Sequence, residues 1–170
     1  MLRGLFLALV LTALPCLAAQ NSDPEILGTF GDWTAFAHQD DKGKVCYIAS
    51  QPIKSVGKYT KRDDVFLMVA HRPADKVFNE INVVAGYTYQ KGVKPTFSID
   101  NKKAVFLTTQ DNTAWAKDAK ADATLVAQMK AGSKGVLKGK SKRGTATTDT
   151  FSFKGFSKAY QAINEACEHQ

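Results

Sequence analysis

Short runs of apolar and β-branched residues, each closed by a glycine, a proline or a polar turn, recur along the chain. The clearest is 65–70, a continuous apolar run that is too short for a typical helix and favours a buried strand. Strands are predicted over 30–38, 45–49, 65–70, 77–89, 95–99, 104–108, 135–140 and 147–153. Many short strands at regular spacing predict a mainly β, single-domain protein, either an antiparallel β-sandwich or a barrel-like fold.

Two segments break the strand pattern and predict helices. Asp122 is a residue type that caps helices, residues 123–130 are good helix formers with an apolar stripe, and Gly132 provides a stop. Near the end of the chain, apolar residues recur three or four positions apart, as on the inward face of a helix. They are Phe156, Ala159, Tyr160, Ile163 and Ala166. The expected fold therefore has one inserted helix and a C-terminal helix.

The N-terminus has the three-part layout of a secretory signal peptide. Arg3 gives a positive start, residues 4–14 are apolar except for Thr12, and Ala19 ends a small-residue cleavage site. The apolar run is shorter than the roughly 20 residues that span a bilayer, although an uncleaved membrane anchor is the alternative. We expect residues 1–19 to be a signal peptide and residues 20–170 to be an exported domain without a transmembrane segment, in the periplasm. Outer-membrane association and secretion stay open.

The cysteine count supports export. The chain has three cysteines, and Cys16 lies inside the predicted signal peptide. Pro15 before it fits a lipoprotein site badly, so we expect no lipidation. Cleavage then leaves Cys46 and Cys167, and two cysteines in an oxidising compartment favour a disulfide. A Cys46–Cys167 bond would close a loop of more than a hundred residues. The loss of chain entropy in the unfolded state would then stabilise the fold by roughly 4–5 kcal/mol. Two separate buried thiols are the alternative.

Motifs for catalysis are missing from the sequence. The three histidines, His38, His71 and His169, are not spaced as metal ligands with one another or with a cysteine. The sequence contains no nucleophile elbow, phosphate-binding glycine loop or zinc signature. We therefore predict no catalytic residue, no metal and no cofactor. The alternative is a periplasmic enzyme whose diffuse site surrounds His71 with Asp63 or Asp64, although a lone histidine more often has a structural role.

The basic character belongs to the expected mature domain. The whole chain has a formal net charge of +7, and Arg3 is the only charged residue before position 20, which leaves +6. A basic exported protein is attracted to anionic surfaces such as lipid headgroups, lipopolysaccharide or polysaccharide. The expected partner is therefore an envelope protein or an anionic envelope component, and not a nucleic acid. The sequence does not predict the oligomeric state.

A basic stretch near the C-terminal third concentrates this charge. It contains Lys134, Lys138, Lys140, Lys142 and Arg143. Because alternate residues of a strand share a face, the last three lysines would form a positive stripe. We predict Lys138, Lys140, Lys142 and Arg143 as candidate contacts to an anionic surface. The stripe also fits a solvated edge strand, where lysines prevent pairing with other strands, and that interpretation is favoured.

Trp115 stands among polar and small residues in the segment 111–118. A tryptophan in such a setting is either a partly exposed contact residue or a plug that fills the core beneath a loop. The core interpretation is favoured, because buried tryptophans contribute a large apolar area.

Several short motifs, in order along the mature chain, resemble the invasion-associated locus B family of alphaproteobacteria. They are Gly31-Asp32-Trp33, Val45-Cys46-Tyr47-Ile48, Ser50-Gln51-Pro52, Arg143-Gly144-Thr145, the segment 148–156 and the helical segment 159–167. The resemblance implies a β-rich domain in the periplasm or the envelope. It also implies a family that, in some pathogens, is linked to entry into host cells, including erythrocytes. It supplies no catalytic residues.

One departure from the family pattern affects the cysteines. Many members have a further cysteine shortly after the Gly-Asp-Trp motif, whereas residues 34–38 here contain none. The pairing in those members therefore does not transfer to this chain. Our leading hypothesis is a non-enzymatic exported protein with a binding role in the envelope. A virulence factor that promotes host-cell invasion and a periplasmic enzyme of unknown type are the alternatives.

Overall fold

The computed structural model describes residues 23–100 and 102–169, so the predicted signal peptide lies outside the described residues. The described part contains two α-helices, α1 (Ala119–Ala131) and α2 (Phe156–Ala166), and a short 3₁₀ turn (Pro73–Asp75). Its strands are β1 (Glu25–Phe30), β2 (Trp33–Gln39), β3 (Lys44–Ser50), β4 (Lys54–Gly57), β5 (Phe66–Arg72), β6 (Val77–Val84), β7 (Thr96–Ile99), β8 (Val105–Phe106), β9 (Thr108–Gln110), β10 (Thr113–Trp115), β11 (Lys134–Lys140) and β12 (Ala146–Ser152).

The strands form two antiparallel sheets. The larger has seven strands in the order β1-β2-β3-β5-β6-β10-β9, and the smaller has five in the order β4-β12-β11-β7-β8. Neither sheet closes on itself, so the β-sandwich form of the prediction is confirmed and the barrel form is wrong. The chain leaves the larger sheet after β3, adds β4 to the smaller one, and returns to the larger sheet with β5.

The core lies between the inner face of the seven-stranded sheet and three elements: the smaller sheet, α1 and α2. Trp33 of β2 connects the larger sheet to the smaller sheet and to α2. Its Nε1 donates to the Ser152 carbonyl of β12 at 2.9 Å, and its ring lies edge-on to Phe156 of α2. Fully buried apolar side chains come from both sheets and both helices, and each contributes about 1.5–3 kcal/mol. Examples are Ile48, Leu67, Ile81, Phe97, Leu125, Leu137, Phe151 and Ile163.

The edge strands β1, β4 and β9 were not predicted from the sequence. Every residue of β4 is exposed, so this strand has no apolar alternation to reveal it. Strand β1 has no buried residue and contains a bulge next to Gly28, and the sequence suggested only an extended lead-in there. In contrast, β11 pairs with β12 on one side and β7 on the other, so the edge-strand interpretation of its lysines is wrong.

The inserted helix begins earlier than predicted. Asp118 caps α1, and its Oδ1 accepts a hydrogen bond from the Ala121 amide 2.8 Å away. Asp122 lies inside the helix and is buried, where its Oδ1 accepts from the Ile81 amide at 2.9 Å and so joins α1 to β6. The prediction that Asp122 is the cap is therefore wrong. The end of the helix at Gly132 is confirmed.

Cys46 and Cys167 form a disulfide, with Cα atoms 6.0 Å apart, and the predicted pairing is confirmed. The bond connects β3 to the residue that follows α2 across a sequence separation of 121 residues. Both cysteines are buried in the core, so the bond holds the C-terminal helix against the larger sheet.

Neither helix in the described part is long and apolar enough to cross a membrane.

Candidate functional site

A cleft of about 600 Å³ opens where loops from the two sheets meet. One wall is the segment 58–63, which connects β4 to β5. The other wall is the turn between β11 and β12, and the residues that follow β6 lie between the two walls. The lining residues are Lys58, Tyr59, Thr60, Lys61, Arg62, Asp63, Gly86, Tyr87, Thr88, Ser141, Lys142, Arg143, Thr145 and Thr147.

Arg62 holds the first wall in place. Its guanidinium donates to both carboxylate oxygens of Asp149, at 2.7 and 2.8 Å, and its Nε donates to the Ala85 carbonyl at 2.8 Å. The guanidinium also lies 4.8 Å from the centre of the Tyr87 ring. Burial opposes the charged guanidinium, but the hydrogen bonds and charge of Asp149 outweigh it and raise the pKa of Arg62. Arg62 therefore positions the cleft, and its charge is already neutralised.

The second wall is fixed by a hydrogen-bonded turn. The Ser141 amide donates to the Thr145 carbonyl at 2.9 Å, and the Gly144 amide donates to the Ser141 carbonyl at 2.8 Å. The Lys142 amide donates to the Thr88 carbonyl at 2.7 Å, which attaches the turn to the segment after β6. The side chains of Lys142 and Arg143 are thus presented on a backbone that is anchored on both sides.

Tyr87 forms part of the floor between the walls. Its hydroxyl lies 2.6 Å from the Thr147 Oγ1, and burial raises the pKa of Tyr87. The side chain of Arg62 is 5% exposed and that of Asp149 is fully buried, so the ion pair lies beneath the floor. The floor is therefore electrically neutral and lined by tyrosine and threonine side chains.

The rim of the cleft is cationic. Lys58 and Lys61 are exposed on the first wall, and Lys142 and Arg143 are exposed on the second. None of the four is in an ion pair within the described part of the chain. Asp63 is the one carboxylate among the lining residues. The rim thus carries an excess of positive charge that is available to a ligand.

The structure separates the predicted basic residues into two groups. Lys142 and Arg143 lie in the turn and line the cleft, whereas Lys138 and Lys140 belong to β11 and do not line it. Strand β11 ends at Lys140, so the predicted stripe does not continue to Lys142 as one strand face. Lys138 is exposed on the outer face of the five-stranded sheet, and Lys140 is half-buried.

The first wall of the cleft was not predicted from the sequence. Lys58, Lys61 and Arg62 form a second basic cluster, separated from the turn by about 80 residues of sequence. The available signal was their density, three basic residues among five positions in a polar segment. That signal could not show that the cluster faces Lys142 and Arg143, because this depends on the order of the strands in the sheets.

His71 is a structural residue, as the favoured interpretation predicted. It is fully buried, its Nδ1 accepts from the Asn79 amide at 3.1 Å, and its Nε2 donates to the Asn164 Oδ1 at 2.9 Å. Burial lowers the pKa of His71, which keeps the imidazole neutral. His71 lies near the end of β5, whereas Asp63 and Asp64 precede its start. The hypothesis of a catalytic site that joins these residues is therefore wrong.

Trp115 is half-buried on the outward face of the seven-stranded sheet, so the favoured core interpretation is wrong. It lies opposite Asn82 of β6, which in turn lies opposite Met68 of β5. The same face carries Phe36 stacked on Tyr47, with ring centres 4.9 Å apart. Within the described residues, no group of three or more histidine, cysteine or acidic side chains is placed to hold a metal ion.

Comparison with protein families identifies the chain. The family model described as invasion associated locus B (IalB) protein matches residues 33–164. The chain belongs to the IalB family. The matched range begins at β2, ends within α2 and includes every residue that lines the cleft. The resemblance found in the sequence motifs is therefore confirmed, and IalB membership places the chain among envelope-associated, invasion-linked proteins.

Neither the curated proteins nor the solved structures gave a match to this IalB-family chain. Its function must therefore be inferred from its own geometry together with its family. Within that geometry, the cationic cleft combines a rigid neutral floor with four exposed cations on two walls.

Proposed function

We propose that this IalB-family protein is exported to the periplasm and binds an anionic component of the cell envelope without catalysing a reaction on it. The observation that carries the proposal is the cleft rim, where Lys58, Lys61, Lys142 and Arg143 surround a neutral floor. Cations that protein carboxylates do not neutralise attract anionic ligands, most strongly where a cleft focuses their field. The sequence pattern of a signal peptide and the Cys46–Cys167 disulfide support export.

The rigidity of the cleft supports a binding role. Arg62 ties the first wall to Asp149 of β12 and to the Ala85 carbonyl, and the Lys142 amide ties the second wall to Thr88. A site whose backbone is already ordered loses less conformational entropy when a ligand binds. The exposed lysine and arginine side chains can still adjust to the ligand, because only their backbone is fixed.

The chemistry of the lining supports binding over catalysis. The residues that line the cleft include no histidine and no cysteine, and their polar groups are cations, hydroxyls and the Asp63 carboxylate. The Thr147 hydroxyl is hydrogen-bonded to Tyr87, and burial raises the pKa of Tyr87, which keeps its phenol protonated and unable to accept a proton. A hydroxyl nucleophile needs an adjacent base to activate it, and the described lining provides no such pair.

The family name favours a second role, in host-cell invasion. In that role the same cationic cleft would contact an anionic host surface. A strain that lacks the protein should then enter host cells less well. Entry should return with the wild-type gene but not with a gene carrying Lys142→Glu and Arg143→Glu. Normal entry by the deletion strain would remove this role and leave the envelope role in place.

Binding to anionic vesicles tests the proposed function. The mature domain, residues 20–170, is mixed with vesicles that contain lipopolysaccharide, and the bound fraction is measured by co-sedimentation at several salt concentrations. We expect binding that weakens with salt, and a loss of about tenfold in affinity for Lys142→Glu/Arg143→Glu.

The matched control is Lys134→Glu/Lys138→Glu, which makes the same change in net charge on the exposed face of β11, outside the cleft. We expect this control to lose about twofold or less, through the overall charge alone. Equal losses in the two variants would show that net charge and not the cleft determines binding. No binding by the wild-type domain would overturn the proposed function.

Identifying the N-terminal residue of the protein in cells tests export separately. The periplasmic fraction of cells that express the full chain should contain a form that begins at Gln20, identified by mass spectrometry. A full-length protein that stays with the membrane fraction would contradict the proposed cleavage and support an uncleaved anchor.

A further inference from the structure

We infer that the cleft takes an anionic oligosaccharide, a piece of two or three sugars with phosphate, sulfate or carboxylate groups on more than one of them. The inference rests on the proposed function, because it names the class of ligand for the same cleft. Three observations point to it: the size of the cleft, the division of its cations between two walls, and the neutral floor between them.

The size of the cleft favours an occupant larger than a single small ion. Its volume of about 600 Å³ falls within the range of roughly 300–1,000 Å³ in which pockets enclose ligands of many atoms. An isolated phosphate or sulfate would leave most of this space to water. A short oligosaccharide has the extended shape and the size that such a cleft accommodates.

The cations are divided between the two walls. Lys58 and Lys61 lie on the segment between β4 and β5, and Lys142 and Arg143 lie on the turn between β11 and β12. Arg62, the third basic residue of the first wall, already binds both oxygens of Asp149. A ligand with two separated anionic groups can therefore contact both walls at once.

The uncharged part of the lining suits the rings and hydroxyls of a sugar chain. The lining residues Thr60, Thr88 and Thr145 carry hydroxyls that can donate to or accept from sugar hydroxyls. Tyr59 is 38% exposed, and its ring is held by Arg62, whose guanidinium carbon lies 5.5 Å from the ring centre. An aromatic ring presents an apolar face with a polar edge, which matches the alternation of C–H faces and hydroxyl edges on a sugar.

The concave shape of the cleft favours a sugar chain over a flat membrane surface as the ligand. A bilayer surface is contacted most fully by a flat basic face. The cations of the cleft instead surround a depression between loops, which suits a group that projects into it. A sugar chain that extends from the membrane, or one that is free in solution, can enter such a depression.

Calorimetric titration with lipid-free sugars tests the inference. The probes are the deacylated, phosphorylated core oligosaccharide of lipopolysaccharide, the same oligosaccharide after removal of its phosphates, oligogalacturonate, and inorganic phosphate. We expect the phosphorylated core to bind about tenfold more tightly than inorganic phosphate, which cannot contact both walls at once, and more tightly than the dephosphorylated core, which has lost part of its negative charge. Oligogalacturonate carries a carboxylate on each sugar and represents a free polysaccharide. Tighter binding of either anionic oligosaccharide supports the inference and identifies its source.

Variants of each wall of the cleft test whether both walls contribute to oligosaccharide binding. Lys58→Glu/Lys61→Glu and Lys142→Glu/Arg143→Glu should each weaken oligosaccharide binding by about tenfold, and the control Lys134→Glu/Lys138→Glu should change it by about twofold or less. Tyr59→Ala should weaken oligosaccharide binding several-fold, because it removes the aromatic ring that packs against the sugar. Far-ultraviolet circular dichroism and thermal unfolding confirm that each variant is folded before its affinity is compared.

The outcomes separate the inference from the proposed function. Salt-sensitive vesicle binding that depends on the cleft, without binding of any lipid-free oligosaccharide, would overturn the inference and leave the proposed function standing. Inorganic phosphate that binds as tightly as the oligosaccharides, or a loss in the variant of only one wall, would also overturn it by showing a single-anion site. Failure of the wild-type domain in both assays would overturn both.

Discussion

Arg62 and Asp149 are 87 positions apart in the sequence, and they form a two-pronged ion pair with N···O distances of 2.7 and 2.8 Å. The pair joins the segment before β5 to β12, so it connects the two sheets beneath the floor of the cleft. Because both side chains are almost completely buried, the stability of the sandwich and the shape of the cleft depend on the same contact.

Removing the charge of Asp149 should destabilise the protein severely. Asp149→Asn leaves the buried guanidinium of Arg62 without its counter-charge, and we expect the free energy of unfolding to fall by about 3–5 kcal/mol. Urea unfolding followed by tryptophan fluorescence measures the change, since the two indoles lie in the sheets.

An exposed ion pair provides the control for this prediction. Lys42 lies 3.1 Å from Asp75, and its side chain is 69% exposed. Lys42→Ala should therefore cost about 1 kcal/mol or less, because solvent screens such a pair. Similar costs for the two variants would show that burial does not make the Arg62–Asp149 pair important.

Loss of the Cys46–Cys167 bond should lower stability without changing the fold. Closing a loop of 121 positions restricts the unfolded chain, and the replacement Cys46→Ala/Cys167→Ala should cost about 2–5 kcal/mol. Differential scanning calorimetry with and without reductant measures the effect. Reductant should lower the melting temperature of the wild-type protein and leave that of the double variant unchanged, and free thiols in the oxidised mature protein would contradict the bond.

Asp122 should make the protein less stable as the pH rises. Burial raises the pKa of its carboxyl from 3.8 to about 6 in the folded state, so the folded protein holds this proton more tightly than the unfolded chain does. The unfolding free energy should therefore fall between about pH 4 and pH 6, where the buried carboxyl must ionise. Above about pH 6 the carboxyl of Asp122 is ionised in both states, so the unfolding free energy falls no further through this group.

The variant Asp122→Asn tests this dependence, because it removes the charge and keeps an oxygen that can accept from the Ile81 amide. It should match the wild-type protein near pH 4 and exceed it by about 1–2 kcal/mol at pH 7. Urea unfolding across this range gives the comparison. A difference that stays constant with pH would contradict the role of ionisation.

A methyl group at Gly155 should be much more damaging than one at Gly92. Both glycines have positive φ angles, +90° at Gly155 and +80° at Gly92, so replacement by alanine strains either backbone by about 1 kcal/mol. At Gly155, however, an added Cβ would lie 1.7 Å from the Phe30 carbonyl oxygen, whereas nothing lies within 4 Å at Gly92. Thermal unfolding should show a clearly larger loss for Gly155→Ala, and equal losses would mean that the contact of α2 with β1 yields easily.

Local patterns in the sequence predicted much of the fold. Strand β5 was predicted because 65–70 is a short continuous apolar run, and helix α2 because apolar residues recur three or four positions apart. The C-terminal end of α1 was predicted from Gly132. Strand β4 was missed because an exposed edge strand needs no apolar alternation. The start of α1 was misplaced because Asp118 and Asp122 are both acceptable caps, and only the contact of Asp122 with Ile81 distinguishes them.

The sequence by itself determined the family, the mainly β composition and the pair of cysteines that form the disulfide, because each is a property of residue types and their spacing. Only the tertiary structure decided where the basic residues act. Lys142 and Arg143 lie across the cleft from Lys58 and Lys61, whereas Lys138 lies on the outer face of the five-stranded sheet. The physical reason is that the cleft depends on which strands are neighbours, and strand order follows from burial and pairing across the whole chain, not from any local pattern.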